Sequence, residues 1–316
     1  MKLSPFKVGE KIVKLPIFQG GMAVRVSLAP LAAAVANCGG VGIIAGTGMK
    51  PGELIEEIRK ARSSTNGILG VNVLYAVSNF ADLIKAAINE KIDFIISGAG
   101  FSRDMFNLGK SGGVAVIPIV STAKLAKISE RLGAAAVVVE GKEAGGHLGT
   151  DRSIKDILPE VRKAVKIPVI AAGGIVQGED IAEVLKMGAD GVQMATRFVL
   201  SEECTVSDNF KQLYLKARKE DVVLIKSPVG LPGRALRNPL TETLDAQKKI
   251  DIGSCSKCLK VCSRDFCILD ALKRAESGDM EKGLIFSGEH VYKLNDILPV
   301  REIIKNLLSQ LDKIKG

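Results

Sequence analysis

Eight short apolar runs divide the first 200 residues of the chain, and each run ends near a glycine or a polar residue. Amphipathic stretches separate most of them. Strands that are apolar throughout, without alternating polar residues, are typical of a parallel sheet covered on both faces. The pattern therefore predicts eight buried strands, at residues 16–19, 41–45, 69–74, 94–97, 114–120, 136–140, 168–172 and 191–195.

Between these strands, apolar residues recur with the spacing of an amphipathic helix. The spacing predicts helices at residues 28–38, 51–63, 80–90, 124–132, 154–165 and 180–187. The segment between the fourth and fifth strands is shorter and its pattern is weaker. Eight strands that alternate with helices predict the α/β class and, within it, a TIM (β/α)8 barrel. A doubly wound parallel sheet is the alternative.

Candidate chemistry collects where a barrel would place it. Active-site residues of TIM barrels lie at the C-terminal ends of the strands. Glycines and polar residues stand at or just after the ends of six predicted strands, at residues 19–22, 72, 97–100, 140–147, 172–174 and 193–197.

The most informative of these segments is Glu140-Gly-Lys-Glu-Ala-Gly-Gly-His147, which contains one of only two histidines in the chain. Imidazole has the side-chain pKa nearest to neutrality, so His147 suits proton transfer at physiological pH. A glycine turn with an incidental surface histidine is the alternative interpretation.

The loops after the seventh and eighth strands often hold a phosphate in TIM barrels. Gly173 and Gly174 lie in the first of these loops, and Thr196 and Arg197, which supply a hydroxyl and a charge, lie in the second. Tight turns with a capping threonine would explain the same residues. The paired placement favours a phosphate site, and a flat cofactor with a single phosphate, such as FMN, fits it best.

The regular alternation stops near residue 201. A proline- and glycine-rich stretch covers residues 226–237, and helical spacing returns at residues 268–275 and 298–311. We expect a barrel over residues 1–200 and an accessory substrate or cap region over residues 201–285. Residues 286–316 are expected to form a C-terminal helix that packs back on the barrel.

Four of the six cysteines crowd into the cap region. Cys255, Cys258, Cys262 and Cys267 span thirteen residues. This spacing is compatible with zinc or an iron–sulfur cluster, with a disulfide or redox pair, or with reduced structural thiols. The other two cysteines are expected to pack as small apolar side chains.

The chain carries a net charge of +9, and residues 209–271 hold twelve Lys and Arg against seven Asp and Glu. Such a basic surface suits an acidic protein or a phosphorylated cofactor. No nucleic-acid-binding module is recognisable, so nucleic acid is not expected as a partner. Because no apolar run reaches eighteen residues and the N-terminus does not resemble a signal peptide, we expect a cytoplasmic protein without a membrane segment.

Six motifs together carry a family resemblance. They are Gln19-Gly-Gly-Met22, Gly39-Gly-Val-Gly42, Gly70-Val-Asn72, Glu140 to His147, Ala171-Ala-Gly-Gly-Ile175 and Val192-Gln-Met-Ala-Thr-Arg-Phe198. In this order and spacing the chain resembles the nitronate monooxygenase (2-nitropropane dioxygenase) family, which includes the FMN-dependent enoyl-acyl carrier protein reductases. The resemblance covers roughly residues 10–240 and resumes near 283–307.

The resemblance implies a TIM barrel that holds FMN and a smaller substrate domain, with His147 as the catalytic histidine. The positions that it assigns to the cofactor are Gly21, Met22, Asn72, Glu140, Gly145, Gly146, Ala172, Gly173, Gly174, Gln193, Met194, Ala195 and Thr196. Ala195 departs from the family pattern, since family members usually have glycine at this position. Its methyl group could crowd a phosphate contact.

Three activities are consistent with this resemblance. The preferred one is a nitronate monooxygenase, which oxidises alkyl nitronates with oxygen to a carbonyl compound and nitrite, with His147 as a base or as a cation that binds the nitronate. The second is an enoyl-acyl carrier protein reductase, which uses NAD(P)H and an enoyl thioester. The third is a flavin-binding redox sensor with the cysteines as its responsive element. The partners considered are a small-molecule substrate, an acyl carrier protein and a second copy of the chain.

Overall fold

The structure is a computed structural model that describes residues 2–98, 100–246 and 250–314. Parts of the predicted segments lie outside the described residues, namely residue 1 of the barrel, residue 99 of the 97–100 turn, residues 247–249 of the cap and residues 315–316 of the C-terminal segment. Within the described chain, no helix is both long and apolar enough to cross a membrane.

The described residues form thirteen strands and twelve α-helices. The strands are β1 (Phe6–Val8), β2 (Lys11–Val13), β3 (Ile17–Gln19), β4 (Val41–Ala45), β5 (Ile68–Asn72), β6 (Phe94–Ser97), β7 (Ala115–Val120), β8 (Val137–Glu140), β9 (Gly146–His147), β10 (Val169–Ala172), β11 (Gly191–Met194), β12 (Val222–Lys226) and β13 (Pro232–Leu236). The helices are α1 (Ala29–Asn37), α2 (Pro51–Ser64), α3 (Phe80–Asn89), α4 (Arg103–Gly112), α5 (Ala123–Arg131), α6 (Ile154–Ala164), α7 (Gly178–Lys186), α8 (Thr196–Val199), α9 (Asp208–Lys216), α10 (Pro239–Asp245), α11 (Ile268–Ser277) and α12 (Val300–Lys313). Short 3-10 helices cover Lys219–Asp221 and Val291–Lys293.

Eight of these strands close into a barrel in the order β3-β4-β5-β6-β7-β8-β10-β11, with β11 next to β3. All neighbouring pairs in the barrel are parallel. Each predicted apolar run coincides with one of these strands, so the predicted TIM barrel is confirmed. The doubly wound sheet is excluded, because a closed barrel has no free edge strands.

The apolar runs are buried on both faces because each strand lies between the barrel interior and a layer of helices. Ile43 and Ile96 pack inside the barrel with Phe18 and Phe94. Their chain neighbours point the other way and pack against the helices. Since side chains alternate along a strand, a run that is apolar at every position fills both layers at once.

The helix α4 was the weakest element of the sequence pattern, yet it is fully formed. Ser102 caps its first turn by accepting a hydrogen bond from the Met105 N–H, and Gly113 ends it in the left-handed conformation. The pattern was weak because glycine occupies a buried position of the helix, where a methyl group at Gly109 would overlap Val116 of β7. Close packing therefore required a residue that disfavours helices.

The N-terminal end of the barrel is closed by the hairpin of β1 and β2. Val8 and Val13 are fully buried and belong to the same interior cluster as Phe18 and Phe94. Lys11 of the hairpin forms an ion pair of 2.8 Å with Asp93, the residue before β6. The C-terminal end of the barrel is therefore the end where a ligand can enter.

Above the C-terminal end, β12 and β13 form an antiparallel hairpin, and β13 also pairs with the short strand β9. At the side of the barrel, α12 packs against α7 and α1. A hydrogen bond of 2.7 Å from the Gly178 N–H to Gln310 Oε1 fixes this contact. The division of the chain at residues 200 and 285 stays a prediction.

The close approach of α1 to β4 gives a test of the barrel packing. A Cβ at Gly42 would overlap the carbonyl oxygen of Ala32, whereas a Cβ at Gly52 would meet nothing within 4 Å. We expect Gly42→Ala to lower the free energy of unfolding by about 2 kcal/mol or more, because backbone cannot move aside as a flexible side chain can. Gly52→Ala, the matched control in a helix, should raise it by up to about 1 kcal/mol. Urea titrations that gave equal effects for both variants would contradict this account of the packing.

Candidate active site

The C-terminal end of the barrel opens into a cavity of about 520 Å³. This volume lies in the range of small-molecule and cofactor sites. Strand ends form its floor, and the cap forms its roof. Of the residues that the sequence assigned to the site, those that line it are Gly21, Met22, Asn72, Glu140, Gly145, Gly146, His147, Ala172, Gly173, Gly174, Gln193, Ala195 and Thr196.

Two residues of the loop after the eighth strand do not line the cavity. Met194 is buried among the apolar side chains outside the barrel, and its carbonyl oxygen accepts a hydrogen bond of 2.8 Å from the Gly20 N–H. Arg197 is also turned away, because its guanidinium binds Asp296 at 2.5 Å and donates to the Leu200 carbonyl oxygen at 2.9 Å. The prediction that Arg197 supplies a charge to a phosphate is therefore not supported.

The backbone after β3 passes close to the end of β5. A Cβ at Gly21 would overlap the side chain of Asn72, so only glycine fits there. Gln19 holds this segment in place, since its Oε1 accepts a hydrogen bond of 3.1 Å from the Ile43 N–H. The result is a stretch of bare backbone next to a polar amide on one side of the cavity.

The loops after β10 and β11 present unpaired donors to the cavity. Gly173 and Gly174 have left-handed φ angles of 102° and 71°. Their N–H groups donate to no acceptor among the described residues. Thr196 Oγ1 accepts a hydrogen bond of 3.0 Å from the Gly288 N–H, so its own proton is free to donate. Two amides and a hydroxyl thus form an arrangement that suits a phosphate.

His290 also lines the cavity, and sequence reasoning did not assign it to the site. Its Nδ1 is 2.6 Å from the Gly174 carbonyl oxygen. A carbonyl oxygen only accepts hydrogen bonds, so Nδ1 carries the proton. The single signal in the sequence was that the family resemblance resumes near residue 283, because His290 is 116 residues from its partner along the chain.

His147 is positioned by the cap. Its strand β9 pairs with β13, with His147 opposite Gly233. Its Nε2 lies 2.8 Å from Ser227 Oγ, and its ring packs edge-on against Phe286 at 5.1 Å between centroids. Burial lowers the pKa of His147 to about 4. His147 is therefore neutral near pH 7, and a cationic role there is not supported.

Arg234 of β13 fixes the loop that leads to His147. Its guanidinium donates to the carbonyl oxygens of Ala144 at 3.1 Å and Lys142 at 2.6 Å. It also lies 3.6 Å from the carboxylate of Glu289. One cationic side chain of the cap therefore joins the 140–147 loop to the segment that carries His290.

Glu140 ends β8 at the floor of the cavity and makes no side-chain hydrogen bond within the described chain. Burial raises the pKa of its carboxyl group to about 7. Near neutral pH a large fraction of Glu140 is therefore protonated. The floor of the cavity carries less negative charge than the sequence suggests, which favours an anionic ligand.

The cysteines do not form a ligand set. Residues 255–262, the cysteine strap, run across the cavity entrance and pair with the loop after β5, since Lys260 N–H donates to the Ala76 carbonyl oxygen and Ser78 N–H to that of Cys258. Of the four clustered cysteines only Cys258 lines the cavity. All six cysteines are free thiols, and no three His, Cys, Asp or Glu residues in the described part are grouped to hold a metal ion. The predicted zinc or iron–sulfur site at Cys255, Cys258, Cys262 and Cys267 is therefore not supported. Backbone hydrogen bonds to the loop after β5 position the strap, and its thiols do not converge on one point.

The cavity fits a flat cofactor with one phosphate. Gln193 Oε1 is buried without a hydrogen-bond donor. A flavin ring carries an N–H group that would satisfy this acceptor, and the unpaired donors at Gly173, Gly174 and Thr196 would satisfy a phosphate. A buried polar atom without a partner is costly, which makes a bound polar ligand its natural explanation.

Comparison with known proteins found similar sequences and similar structures. A family model described as nitronate monooxygenase matches residues 4–94 and 77–310. The structure of FabK from Thermotoga maritima is 34% identical with a TM-score of 0.84, and the match covers 95% of this chain and 94% of that one. Nitroalkane oxidase from Streptomyces ansochromogenes is 25% identical with a TM-score of 0.80, covering 95% and 96%.

A third relative is named for a different substrate. It is the (3aS,4S,5R,7aS)-5-hydroxy-7a-methyl-1-oxo-octahydro-1H-indene-4-carboxyl-CoA dehydrogenase of Rhodococcus jostii (strain RHA1), which is 37% identical over 233 residues. The match covers 74% of this chain and 65% of the relative, so the chain spans slightly less than two thirds of that protein's length.

The phosphate arrangement can be tested at Thr196. Thr196→Val removes the hydroxyl that would donate to the phosphate, so we expect FMN affinity to fall about tenfold or more, the scale of one lost hydrogen bond to a charged group. Thr196→Ser keeps the hydroxyl and should retain FMN. Equal FMN dissociation constants for the parent and Thr196→Val, measured by flavin fluorescence, would place the phosphate elsewhere.

The shifted pKa of Glu140 predicts a pH-dependent stability. Unfolded Glu140 releases its proton near pH 4.5 but folded Glu140 near pH 7. The FMN-free protein therefore loses stability as the pH rises through this interval. Near pH 8, Glu140→Gln should be more stable than the parent by about 1–3 kcal/mol, and the two should converge near pH 4. Glu10→Gln, at an exposed site, is the control. A difference between Glu140→Gln and the parent that stays constant with pH would refute the shift.

Proposed function

This chain belongs to the nitronate monooxygenase family of oxidoreductases, and we propose that it is an FMN-dependent nitronate monooxygenase that converts alkyl nitronates to carbonyl compounds and nitrite with oxygen. The observation that carries the proposal is a neutral His147 that lines the same cavity as the unpaired donors of Gly173, Gly174 and Thr196. FMN, when bound, supplies the oxidising equivalent and passes its electrons to oxygen.

The residues of the chain would hold FMN by its two ends. Gly173, Gly174 and Thr196 would hold the phosphate, as the unpaired amides and the free hydroxyl suggest. Gln193 and Asn72 offer polar side chains toward the middle of the cavity, and Gly21 leaves room for a planar group to approach the backbone. Ala195 departs from the family pattern. Its methyl group would lie 3.3 Å from a Cβ added at Gly20.

The rest of the site suits an anionic substrate. A nitronate carries its negative charge mainly on oxygen, and Glu140, with its raised pKa, repels that charge less than an ordinary carboxylate would. His147 contributes a polar contact without bringing a charge that would need a counterion.

A second candidate, an enoyl thioester reductase, is favoured by the apolar part of the cavity. The leucines of α11 face the loops that follow the barrel strands, and a Cβ at Gly48 would touch both Leu269 and Val24 at 3.0 Å. Apolar side chains that line this part are Val24, Met49, Val77, Leu259, Leu269 and Leu272. Such a wall suits an acyl chain, and one relative is named for a carboxyl-CoA compound. This candidate would use NAD(P)H and could receive its substrate from an acyl carrier protein.

The two candidates differ in what they consume. With an alkyl nitronate in air, we expect nitrite formation and oxygen uptake without added nicotinamide. An enoyl reductase would instead oxidise NADH or NADPH in the presence of crotonyl-CoA and form no nitrite. Nitronate turnover that stays at the uncatalysed rate, with rapid enoyl reduction, would reject the first candidate in favour of the second.

His147→Ala tests the role of the histidine in either reaction. We expect the variant to bind FMN as the parent does and to lose about a hundredfold or more in turnover, the scale of a lost hydrogen-bond donor that stabilises charge in the transition state. Lys142→Ala, in the same loop but outside the cavity, is the control. If His147→Ala loses FMN while Lys142→Ala keeps it, His147 is structural.

A further inference from the structure

Ser227 is the one polar partner of the His147 ring in the described chain, and it lies outside the cavity. It begins the turn between β12 and β13, where its N–H donates to the Leu231 carbonyl oxygen at 3.3 Å and its carbonyl oxygen accepts from the Gly230 N–H at 3.0 Å. Ser227 is 1% exposed. Its Oγ lies 2.8 Å from His147 Nε2 and accepts a hydrogen bond of 3.3 Å from the Val229 N–H.

The hydrogens of this contact can be assigned by counting donors and acceptors. A serine hydroxyl donates one hydrogen bond and accepts up to two. If His147 Nε2 carried the proton, Ser227 Oγ would accept from both Nε2 and Val229, and its own proton would be buried without an acceptor among the described residues. If Ser227 donates to Nε2, both atoms of this contact are satisfied, and only the Nδ1–H of the ring is left for a ligand. Buried polar groups are nearly always satisfied, so the second arrangement is favoured.

We propose that Ser227 is a positioning residue that holds His147 in the tautomer with the proton on Nδ1. His147 then presents an N–H donor to the cavity and not a lone pair. Nδ1 has no partner of its own in the described chain, and the ring lines the cavity. The hydrogen bond at one ring nitrogen thus determines what the other nitrogen offers to a ligand.

This tautomer limits which substrates the enzyme can convert, and this part of the inference rests on the proposed function. A neutral N–H donor stabilises negative charge on oxygen, which matches the oxygens of a nitronate or the carbonyl oxygen of a thioester. It cannot remove a proton from carbon. The enzyme should therefore act on preformed anionic nitronates and turn over the parent neutral nitroalkanes at least tenfold more slowly in kcat/KM.

The backbone of His147 is held independently of Ser227. Gly233 pairs with His147 across the two strands, and the Leu148 N–H donates to the Pro232 carbonyl oxygen at 2.9 Å. Ser227→Ala therefore removes the ring contact while leaving the strand pairing in place.

The direct test is nitrogen NMR of the FMN-loaded protein labelled with ¹⁵N-histidine, without substrate. The chain has only two histidines, and His290 is an internal reference, because its Nδ1–H is fixed by the Gly174 carbonyl oxygen. His147→Ala assigns the signals. We expect His147 to show a protonated Nδ1 and a bare Nε2, and His290 to show a protonated Nδ1. A protonated Nε2 at His147 would overturn the proposal.

Kinetics provide the second readout. With an alkyl nitronate, Ser227→Ala should lower kcat about ten- to a hundredfold, the scale seen when a partner that orients a functional histidine is removed, and change KM much less. Its NMR spectrum should show His147 shifted toward the other tautomer, and Ser227→Thr, which keeps the hydroxyl, should restore the parent spectrum. Ser277→Ala, on the surface, is the control. An unchanged spectrum in Ser227→Ala would overturn the proposal.

The two proposals fail separately. If the nitronate assay is negative but the Nδ1–H tautomer is observed, the proposed function fails and the assignment to Ser227 stands. If nitronate is turned over by a protein whose His147 carries its proton on Nε2, the function stands and the role of Ser227 falls.

Discussion

The antiparallel pairing of β9 with β13 joins the barrel to its cap, and the whole site depends on it. Hydrogen bonds to residues 152, 154 and 172 hold the first part of the loop after β8, and the pairing with β13 holds its last part, which carries the histidine. The pairing places His147 opposite Gly233, and Arg234 of the same strand bonds to two carbonyl oxygens of the loop. The hairpin of β12 and β13 therefore provides the strand that pairs with His147, the serine that contacts its ring and the arginine that binds its loop.

Burial then sets the chemistry that this geometry makes available. The cavity lowers the pKa of His147 and raises that of Glu140 for the same reason, since both charged forms lose solvation. The two residues most suggestive of acid–base chemistry in the sequence are thus both shifted toward their neutral forms. A floor with reduced negative charge, together with unpaired amide and hydroxyl donors, is an environment for an anionic ligand.

The barrel could be predicted from the sequence because strands buried on both faces leave continuous apolar runs, and because parallel strands bring their C-terminal ends together. Most of the residues that the sequence assigned to the site line the cavity for the same reason. The contacts that aim them were not predictable, since Ser227, Arg234 and His290 lie 80 or more residues from their partners. The cysteine spacing suggested a metal, but spacing alone does not tell where the side chains point, and the strap is arranged by its backbone contacts with residues 76–78. Met194 and Arg197 do not line the cavity, because both side chains point away from it.

The most direct test of the account is the absorption spectrum of the FMN-loaded protein without oxygen, while an alkyl nitronate, NADH or NADPH is added in separate samples. The account predicts that the nitronate bleaches the flavin rapidly and that admitting oxygen restores the colour. Rapid bleaching by a reduced nicotinamide, with no response to nitronate, would contradict it and assign the site to a reductase.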